Sequence, residues 1–258
     1  MDQQPTRHLN FYTKLSYLLL FITIAPMVNA NSKNSERFRL IPNHQSEYRI
    51  EKYSNNVGNV KNVLNYSKNV VKYSSIASAT GIASFFIKDD HEETSILYWP
   101  KNTQYPKQQS FNYFRGKKHK KNQQILFKYI KAESTLIDGN YKRKSYTLET
   151  SKTVWTRQLL PILISSELQN SPNTKVKSFF ITNKGHIQEY TYTLEALEKM
   201  SFKQKQLDVL KFKISREKNR RTSYVWLSKD HYYLPLKIEH YKDDKLNVSM
   251  FMTQFKLN

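Results

Sequence analysis

Short runs in which apolar and polar residues alternate dominate the sequence. In residues 208–217, Leu210, Phe212 and Ile214 occupy every second position, and mostly polar residues lie between them. Side chains of an extended strand point alternately to the two faces of its sheet, so this pattern predicts one buried and one solvated face. Residues 222–228 are apolar on both faces, which predicts that the sheet curves or partly closes there.

Runs of this kind recur along the chain and predict antiparallel strands. The connections are short and rich in Asn, Asp, Lys and Gly, which favours hairpins. The predicted fold class is therefore mainly β, a curved antiparallel meander sheet or a partly closed barrel. The predicted strands are residues 38–41, 47–53, 70–78, 82–88, 94–99, 111–115, 124–133, 144–149, 176–182, 187–194, 208–217, 222–228, 233–241 and 246–255. The predicted turns are residues 89–90, 138–140, 183–185, 218–220 and 243–244.

One helical insertion interrupts the strands at about residues 154–168. Apolar residues recur there at helical spacing, and Thr153 precedes them as a candidate N-cap. Pro161 lies inside the segment and predicts a kink or a division into two short helices.

The amino-terminal residues 1–30 have the pattern of an export signal. Arg7 and Lys14 precede an apolar run from Leu15 to Met27, and Val28 and Ala30 then supply the small residues that signal peptidase accepts. The run is shorter than the ~20 residues of a membrane-spanning helix, which favours a signal peptide over an anchor. We therefore expect cleavage after Ala30 and a single β-rich domain over residues 31–258, soluble in the periplasm of a Gram-negative bacterium.

The amino-acid composition limits the reactions and binding partners that this protein can have. The chain has no cysteine, which excludes disulfides, thiolate catalysis, cysteine-ligated zinc and a lipid-attachment residue. A formal net charge of +21 at pH 7 favours anionic partners, although abundant Lys, Asn, Ile and Tyr together are also typical of an AT-rich genome. The motifs of phosphate-binding loops, serine hydrolases and metalloproteases are absent from the sequence, so no catalytic residue, metal ligand or cofactor is predicted.

Three groups of reactive residue types remain. Asp230 and His231 lie between two predicted strands, which favours a hairpin turn over a catalytic dyad. Glu239 and His240 are neighbours in a strand, so their side chains leave opposite faces. Residues 89–93 contain four carboxylates and a histidine without the spacing of a calcium loop, which favours a solvated hairpin tip over a metal site. A hydrolase that uses one of these groups is the least favoured alternative.

The carboxy-terminal third, residues 177–258, contains the segments FFITNKGHIQEYTYTLEALEKM and RTSYVWLSKDHYYLPLKIEHY. It resembles the exported bacterial family known as domain of unknown function 3108. The resemblance rests on a Trp-Leu-x-x-Asp-x-x-x-Leu-Pro-x-x-Ile-Glu core, which falls on Trp226, Leu227, Asp230, Leu234, Pro235, Ile238 and Glu239. The family also has a glycine near the first hairpin, for which Gly58 is the candidate. The resemblance implies a periplasmic, lipoprotein-carrier-like curved sheet and no established activity.

Two binding hypotheses follow. The first is a non-enzymatic binding or envelope-maintenance protein whose concave sheet face takes a lipid or another apolar or amphipathic ligand. Four aromatic residues and two basic residues at the rim are its candidate ligand contacts: Tyr190, Tyr192, Tyr224 and Trp226, with Arg220 and Arg221. A purely structural role for the same rings in the core is the alternative.

The second hypothesis is a basic scaffold that docks on an envelope protein or an acidic polysaccharide. The densest run of basic residues supplies its candidate contacts, which are Arg115, Lys117, Lys118, Lys120 and Lys121. Basic residues next to aromatic rings bind anionic surfaces, and a solvated loop is the alternative. We expect no nucleic-acid partner for an exported protein.

Overall fold

The computed structural model describes residues 41–85, 89–100, 103, 105–116, 120–131, 134–216 and 221–258. The predicted signal peptide lies outside the described residues, as do most of the first predicted strand and the predicted turn at residues 218–220.

Within these ranges, fifteen strands form one sheet. The first eight are β1 (His44–Lys52), β2 (Asn55–Ser67), β3 (Val70–Ala79), β4 (His91–Tyr98), β5 (Lys107–Phe114), β6 (Gln123–Lys131), β7 (Ser134–Tyr141) and β8 (Lys144–Thr150). The other seven are β9 (Val154–Thr156), β10 (Val176–Asn183), β11 (His186–Phe202), β12 (Lys205–Arg216), β13 (Arg221–Ser228), β14 (Leu234–Lys242) and β15 (Lys245–Leu257). The helical segments are α1 (Leu160–Asn170) and 3₁₀ turns at Gly81–Phe85, Arg157–Leu159 and Lys229–His231.

The order of strands in the sheet follows the chain. It runs from β8 back to β1, continues from β15 and ends at β9. All neighbouring pairs are antiparallel except β9, which runs parallel to β10. The first and last strands are partners, with His44 opposite Leu257. The predicted mainly-β, curved antiparallel meander is confirmed.

The connectivity requires this sheet to curl. β8 and β9 are its two edges, yet only residues 151–153 separate them along the chain. The chain between Thr150 and Val154 spans at most about 15 Å. A flat sheet of fifteen strands would be about 65 Å wide at a spacing of about 4.8 Å. The sheet therefore wraps into an open, barrel-like curve whose two edges approach each other without pairing.

Side chains bridge the gap between the two edges. Val154 of β9 packs in a buried cluster with Phe111, Ile125, Phe127 and Ile137 from β5, β6 and β7. This cluster is separate from the main core, which β1 to β4 and β10 to β15 build around α1. We call the smaller cluster, formed by Phe111, Ile125, Phe127, Ile137 and Val154, the apolar seam.

A buried polar network lies beside the apolar seam. The side-chain oxygen of Gln108 accepts a hydrogen bond from the Thr156 backbone N–H at 2.8 Å, and its amide nitrogen donates to the Thr156 hydroxyl at 2.8 Å. Ser95 donates to the side-chain oxygen of Gln158 at 2.7 Å, and the Gln158 amide nitrogen donates to Ser75 at 3.0 Å. Because Thr156 and Gln158 precede α1 while the others lie in β3, β4 and β5, the network ties the two halves of the chain together.

The helix α1 lies inside the curled sheet. Its buried residues are Leu160, Ile162, Leu163, Ile164, Ser165, Ser166 and Leu168, which occupy nearly all of its sides. A helix that is buried all round belongs to the interior of a fold. Its Ser165 hydroxyl lies 2.6 Å from the backbone carbonyl of Tyr233, in the loop between β13 and β14.

The ends of the helical insertion differ from the prediction. α1 begins at Leu160 without a side-chain cap, so Thr153 is not its N-cap, and residues 154–156 form β9 instead. Pro161 lies in the first turn, where a missing backbone N–H removes no helical hydrogen bond. It therefore starts the helix and does not kink it.

Three predictions of local structure are wrong. Residues 81–85 form a 3₁₀ turn where the strand 82–88 was expected, and β2 was not expected at all. Residues 138–140 lie within β7, and the chain turns instead at Lys142 and Arg143, both with positive φ. The predicted turns at residues 183–185 and 243–244 are confirmed.

Gly58 lies where β2 and β3 approach closely. A β-carbon at this position would lie 2.6 Å from the backbone oxygen of Ser78. Gly58→Ala is therefore expected to lower the free energy of unfolding by about 1–3 kcal/mol, because the two strands must separate to admit the methyl group. Chemical denaturation measures this loss, with the exposed neighbour Asn59→Ala as the control. Equal stability of the two variants would contradict the close approach.

Candidate ligand-binding cavity

The curled sheet and α1 enclose a cavity of about 550 Å³. The first residues of α1, Leu160 and Pro161, form part of its wall, and side chains from both halves of the sheet form the rest. Its apolar lining includes Val60, Ile214, Val225, Leu234, Ile238 and Met250. Its charged and imidazole lining comprises His91, Glu93, Lys121, Arg157, Lys184 and His240.

The cavity opens at one end of the strands. The turns at residues 53–54, 142–143, 184–185 and 243–244 all lie at this end, because neighbouring strands are antiparallel. Lys121 and Lys184 line the cavity and are exposed, and Arg157 is exposed beside them. We call this end the mouth, and α1 occupies the opposite end of the interior.

Polarity increases towards the mouth along individual strands. In β14 the lining residues run from Leu234 through Ile238 to His240, in the direction of the mouth. β6 runs away from the mouth, so its lining residues follow the opposite order: Lys121, just before the strand, lies at the mouth, and Ile125 lies deeper. Along these strands the lining is apolar at depth and cationic at the entrance, and Asn62, Thr156 and Gln158 add uncharged polar groups to the wall.

Positive charges surround His240. Burial first, and then the charges of Arg157, Arg216 and Arg221, lower the pKa of His240 below its ordinary value. Solvent still reaches the imidazole through the cavity, and its Nδ1 lies 2.7 Å from the Ser223 hydroxyl. Three guanidinium groups therefore impose a positive potential on this side of the cavity.

Two of the predicted ligand residues face the interior. Tyr192 lines the cavity, is 1% exposed and makes edge contacts with Phe179 and Phe212. Tyr190, two positions along β11, shares its face, and its hydroxyl accepts a hydrogen bond from Arg216 at 3.0 Å. Burial raises the pKa of Tyr192, which keeps its phenol neutral.

The other two predicted aromatic residues face outwards. Val225 lines the cavity, so its neighbours Tyr224 and Trp226 point to the outer face of β13. Trp226 lies between Lys211 and Lys237, whose ammonium nitrogens are 5.2 and 4.4 Å from its ring centroid. The structure therefore divides the predicted aromatic set between the two faces of the sheet, and Trp226 is buried on the outer one, where its indole N–H donates to Glu198 at 2.7 Å.

The outer row around Trp226 alternates cations and rings across five strands. Lys211, Trp226, Lys237, Phe251 and Arg49 occupy successive paired positions in β12, β13, β14, β15 and β1. Lys237 and Arg49 lie 5.6 and 5.5 Å from the Phe251 ring centroid. Each cation–ring contact of this kind contributes about 0.5–1 kcal/mol at an exposed site. We call this row the outer ladder.

The predicted basic run borders the mouth. Arg115 follows β5, and its backbone N–H donates to the side chain of Asn122 at 2.9 Å, which holds the loop between β5 and β6 together. Lys120 and Lys121 are exposed at the end of this loop, and Lys121 lines the cavity. Lys117 and Lys118 lie outside the described residues. Of the two predicted rim arginines, Arg221 is close enough to His240 to influence its pKa, and Arg220 is outside the described residues.

The reactive pairs are separated as the strand pattern predicted. Asp230 and His231 lie in the connection between β13 and β14, where the His231 ring packs against Phe202 with a centroid distance of 5.0 Å. Glu239 points to the outer face and pairs with Lys237 at 2.6 Å, whereas His240 lines the cavity. In the described part of the chain, no three His, Asp or Glu side chains are arranged to hold a metal ion. No helix among the described residues is long and apolar enough to cross a membrane.

Sequence reasoning missed Arg157 and misplaced Glu93. Residues 89–93 were predicted as a solvated hairpin tip, but β4 begins at His91, and His91 and Glu93 line the cavity. Arg157 and Glu93 pair at 3.3 Å, although they are 64 residues apart along the chain. Arg216 carried a usable signal, because it continues the inward-facing alternation of Phe212 and Ile214. The others follow from the curl of the sheet and not from any local motif.

The fold and the cavity define a β-barrel-like protein with a helix in its interior. The sequence matches the family described as "Protein of unknown function (DUF3108)" over residues 47–253, and the chain belongs to this family. The resemblance found in the carboxy-terminal third is thereby confirmed, and it extends over most of the chain.

A solved structure with a TM-score above 0.5 supports the same fold. The β-barrel-like protein of domain of unknown function DUF1849 from Brucella abortus is 10% identical, with a TM-score of 0.53, over 85% of this chain and 99% of that chain. A protein with a YmcC-like fold from Bacteroides fragilis is 8% identical, with a TM-score of 0.35, over 84% of this chain and 98% of that chain. No curated protein is significantly similar in sequence.

Proposed function

We propose that this protein is an exported, non-enzymatic binding protein that holds an amphipathic ligand in its cavity. The cavity itself carries the proposal. Its volume of about 550 Å³ falls within the roughly 300–1,000 Å³ of small-molecule sites. The leader pattern of residues 1–30 supports export to the periplasm of a Gram-negative bacterium, where lipids and other amphiphiles of the cell envelope are the available ligands.

Packing arguments favour a binding site over an incidental void. Protein interiors are close-packed, and voids much larger than a water molecule are few. Here the chain keeps the space between α1 and the sheet open, even though Tyr48, Tyr73 and Tyr192 line it and are large enough to fill part of it. All three are buried, so they form part of the wall around the space and do not fill it. A preformed cavity of this size has room for an acyl chain.

Cavity-filling substitutions test the proposal. Ile214→Trp and Ile238→Trp place larger side chains into the apolar part of the cavity from half-buried positions. The uncharged fluorescent probe N-phenyl-1-naphthylamine is expected to bind the unaltered protein at one site per chain. Each filling variant should raise its Kd at least tenfold by removing the space that the probe occupies.

Lys213→Trp is the matched control. Lys213 precedes Ile214 in β12 and points to the opposite face, so the same bulk is added outside the cavity. Its probe affinity should equal that of the unaltered protein, and thermal melts confirm that all variants are folded. Failure of the unaltered protein to bind the probe, or unchanged binding in both filling variants, contradicts the proposed function.

A further inference from the structure

The charge at the cavity mouth has one dominant sign. Lys121, Arg157 and Lys184 line the mouth, and Glu93 is the one acidic residue among the described lining residues. Glu93 is paired with Arg157 at 3.3 Å, so this pair is close to neutral as a unit. The mouth therefore presents more positive than negative charge to whatever enters the cavity.

Two further guanidinium groups of the same sign lie at the mouth end of the strands, at the end of β12 and the start of β13. Arg216 shares the inward face of β12 with Ile214, and its guanidinium carbon lies 5.1 Å from the ring centroid of Tyr190. Stacking on Tyr190 and the hydrogen bond to its hydroxyl hold the guanidinium in place. Arg221 starts β13 on the face that Ser223 and Val225 share. A guanidinium remains charged at any physiological pH and presents several donors to a carboxylate or phosphate.

The amino-terminal end of α1 adds to this potential. Leu160 and Pro161, its first two residues, are part of the cavity wall. The amino terminus of a helix carries a partial positive charge. The helix dipole therefore has the same sign as the arginine side chains, and both favour an anionic over a cationic ligand.

We infer that the cavity takes an anionic amphiphile, with an acyl chain in the apolar part and a carboxylate or phosphate among the basic groups of the mouth. This inference rests on the proposed function and names the chemical class of its ligand. A neutral lipid makes no charge-assisted contact with the basic groups, and a free phosphate leaves the apolar part of the cavity unfilled. Charge-assisted hydrogen bonds to the head group supply the preference.

Competition with the neutral probe tests the inference. Oleate and dodecyl phosphate are expected to displace N-phenyl-1-naphthylamine at concentrations at least tenfold lower than oleyl alcohol. Inorganic phosphate alone should not displace it. Equal potency of oleate and oleyl alcohol overturns the inference and leaves the proposed function standing. If phosphate competes as well as dodecyl phosphate, the ligand is an anion and not an amphiphile.

A pair of double variants locates the effect. The double variant Lys121→Gln with Lys184→Gln removes two exposed charges at the mouth. It is expected to lower the affinity for oleate at least tenfold and to leave the affinity for oleyl alcohol unchanged. Lys61→Gln with Lys72→Gln removes two exposed charges from the outer face, since their neighbours Asn62 and Tyr73 line the cavity. Because net charge falls equally in both, an equal loss of oleate affinity overturns the assignment to the mouth. If no amphiphile and no probe binds, the proposed function itself fails.

Discussion

Replacing Phe212 with alanine is expected to lower the free energy of unfolding by about 3–5 kcal/mol, among the largest losses for any single substitution in the core. Phe212 is 0% exposed in the middle of β12 and makes an edge contact with Tyr192 at a centroid distance of 6.5 Å. Its removal leaves a void against the wall of the cavity. Typical domains are stable by about 5–15 kcal/mol, so the variant approaches the limit of folding.

Chemical denaturation followed by far-ultraviolet circular dichroism measures the loss. Phe85→Ala is the control, because Phe85 is 78% exposed and its removal exposes or buries little surface. The control should remain within about 0.5 kcal/mol of the unaltered protein. A Phe212 variant as stable as the Phe85 variant contradicts the position of Phe212 in the core.

Gln108→Leu is expected to lower the free energy of unfolding by about 2–4 kcal/mol, because it leaves buried polar groups without hydrogen-bond partners. The Gln108 side chain is 0% exposed and bonds both the backbone N–H and the hydroxyl of Thr156. Leucine fills a similar volume but can neither donate nor accept. The substitution therefore weakens the connection between β5 and the edge strand β9.

Hydrogen exchange separates this local effect from a general loss of stability. In the Gln108→Leu variant, the amide of Thr156 should exchange faster relative to amides in the middle of the sheet, such as that of Tyr48. Gln124→Leu changes an exposed glutamine of β6 in the same way and should leave the exchange of Thr156 unaltered. Unchanged exchange at Thr156 in the Gln108 variant contradicts the role of the polar network at the seam.

The motif that identifies the family is mainly structural in this fold. Trp226 belongs to the outer ladder, and Leu227 is 0% exposed in the core. Asp230 lies in the turn between β13 and β14, and Glu239 pairs with Lys237 on the outer face. Three members, Leu234, Pro235 and Ile238, line the cavity. The motif thus specifies mainly a hairpin and its packing, and it also supplies apolar residues to the cavity wall.

Local patterns predicted most of the strands and failed where composition concealed them. All strands from β10 to β15 were predicted, although β11 runs to Phe202, well beyond the predicted end at residue 194. β2 was missed because Asn55–Ser67 is rich in asparagine, a residue depleted in strands, although the inward positions Asn62 and Leu64 are buried. β7 was missed because Asp138-Gly139-Asn140 resembles a turn. There Gly139 gives space to the ring of Tyr146 on β8.

The candidate site was less predictable than the fold. Alternation assigns each side chain to one of two faces, but it does not tell which face becomes concave. The sequence therefore supports Tyr192 and Trp226 equally as ligand contacts. The direction in which the sheet curls places Tyr192 in the cavity and Trp226 on the outer face. The polar network of Gln108 and Gln158 gave no sequence signal, because single glutamines in polar surroundings have no distinctive pattern.

The pairing of β1 with β15 has a consequence for the kinetics of folding. Each hairpin within the two halves of the sheet joins residues that are near in sequence, so it can form on the microsecond scale. The pair His44 and Leu257 joins the two ends of the described chain, and contacts of such long range slow folding. Until the last strand is available, β1 and β14 both remain open edges that can pair with other chains. A ribosome that still holds the carboxyl terminus therefore keeps the two halves of the sheet from joining.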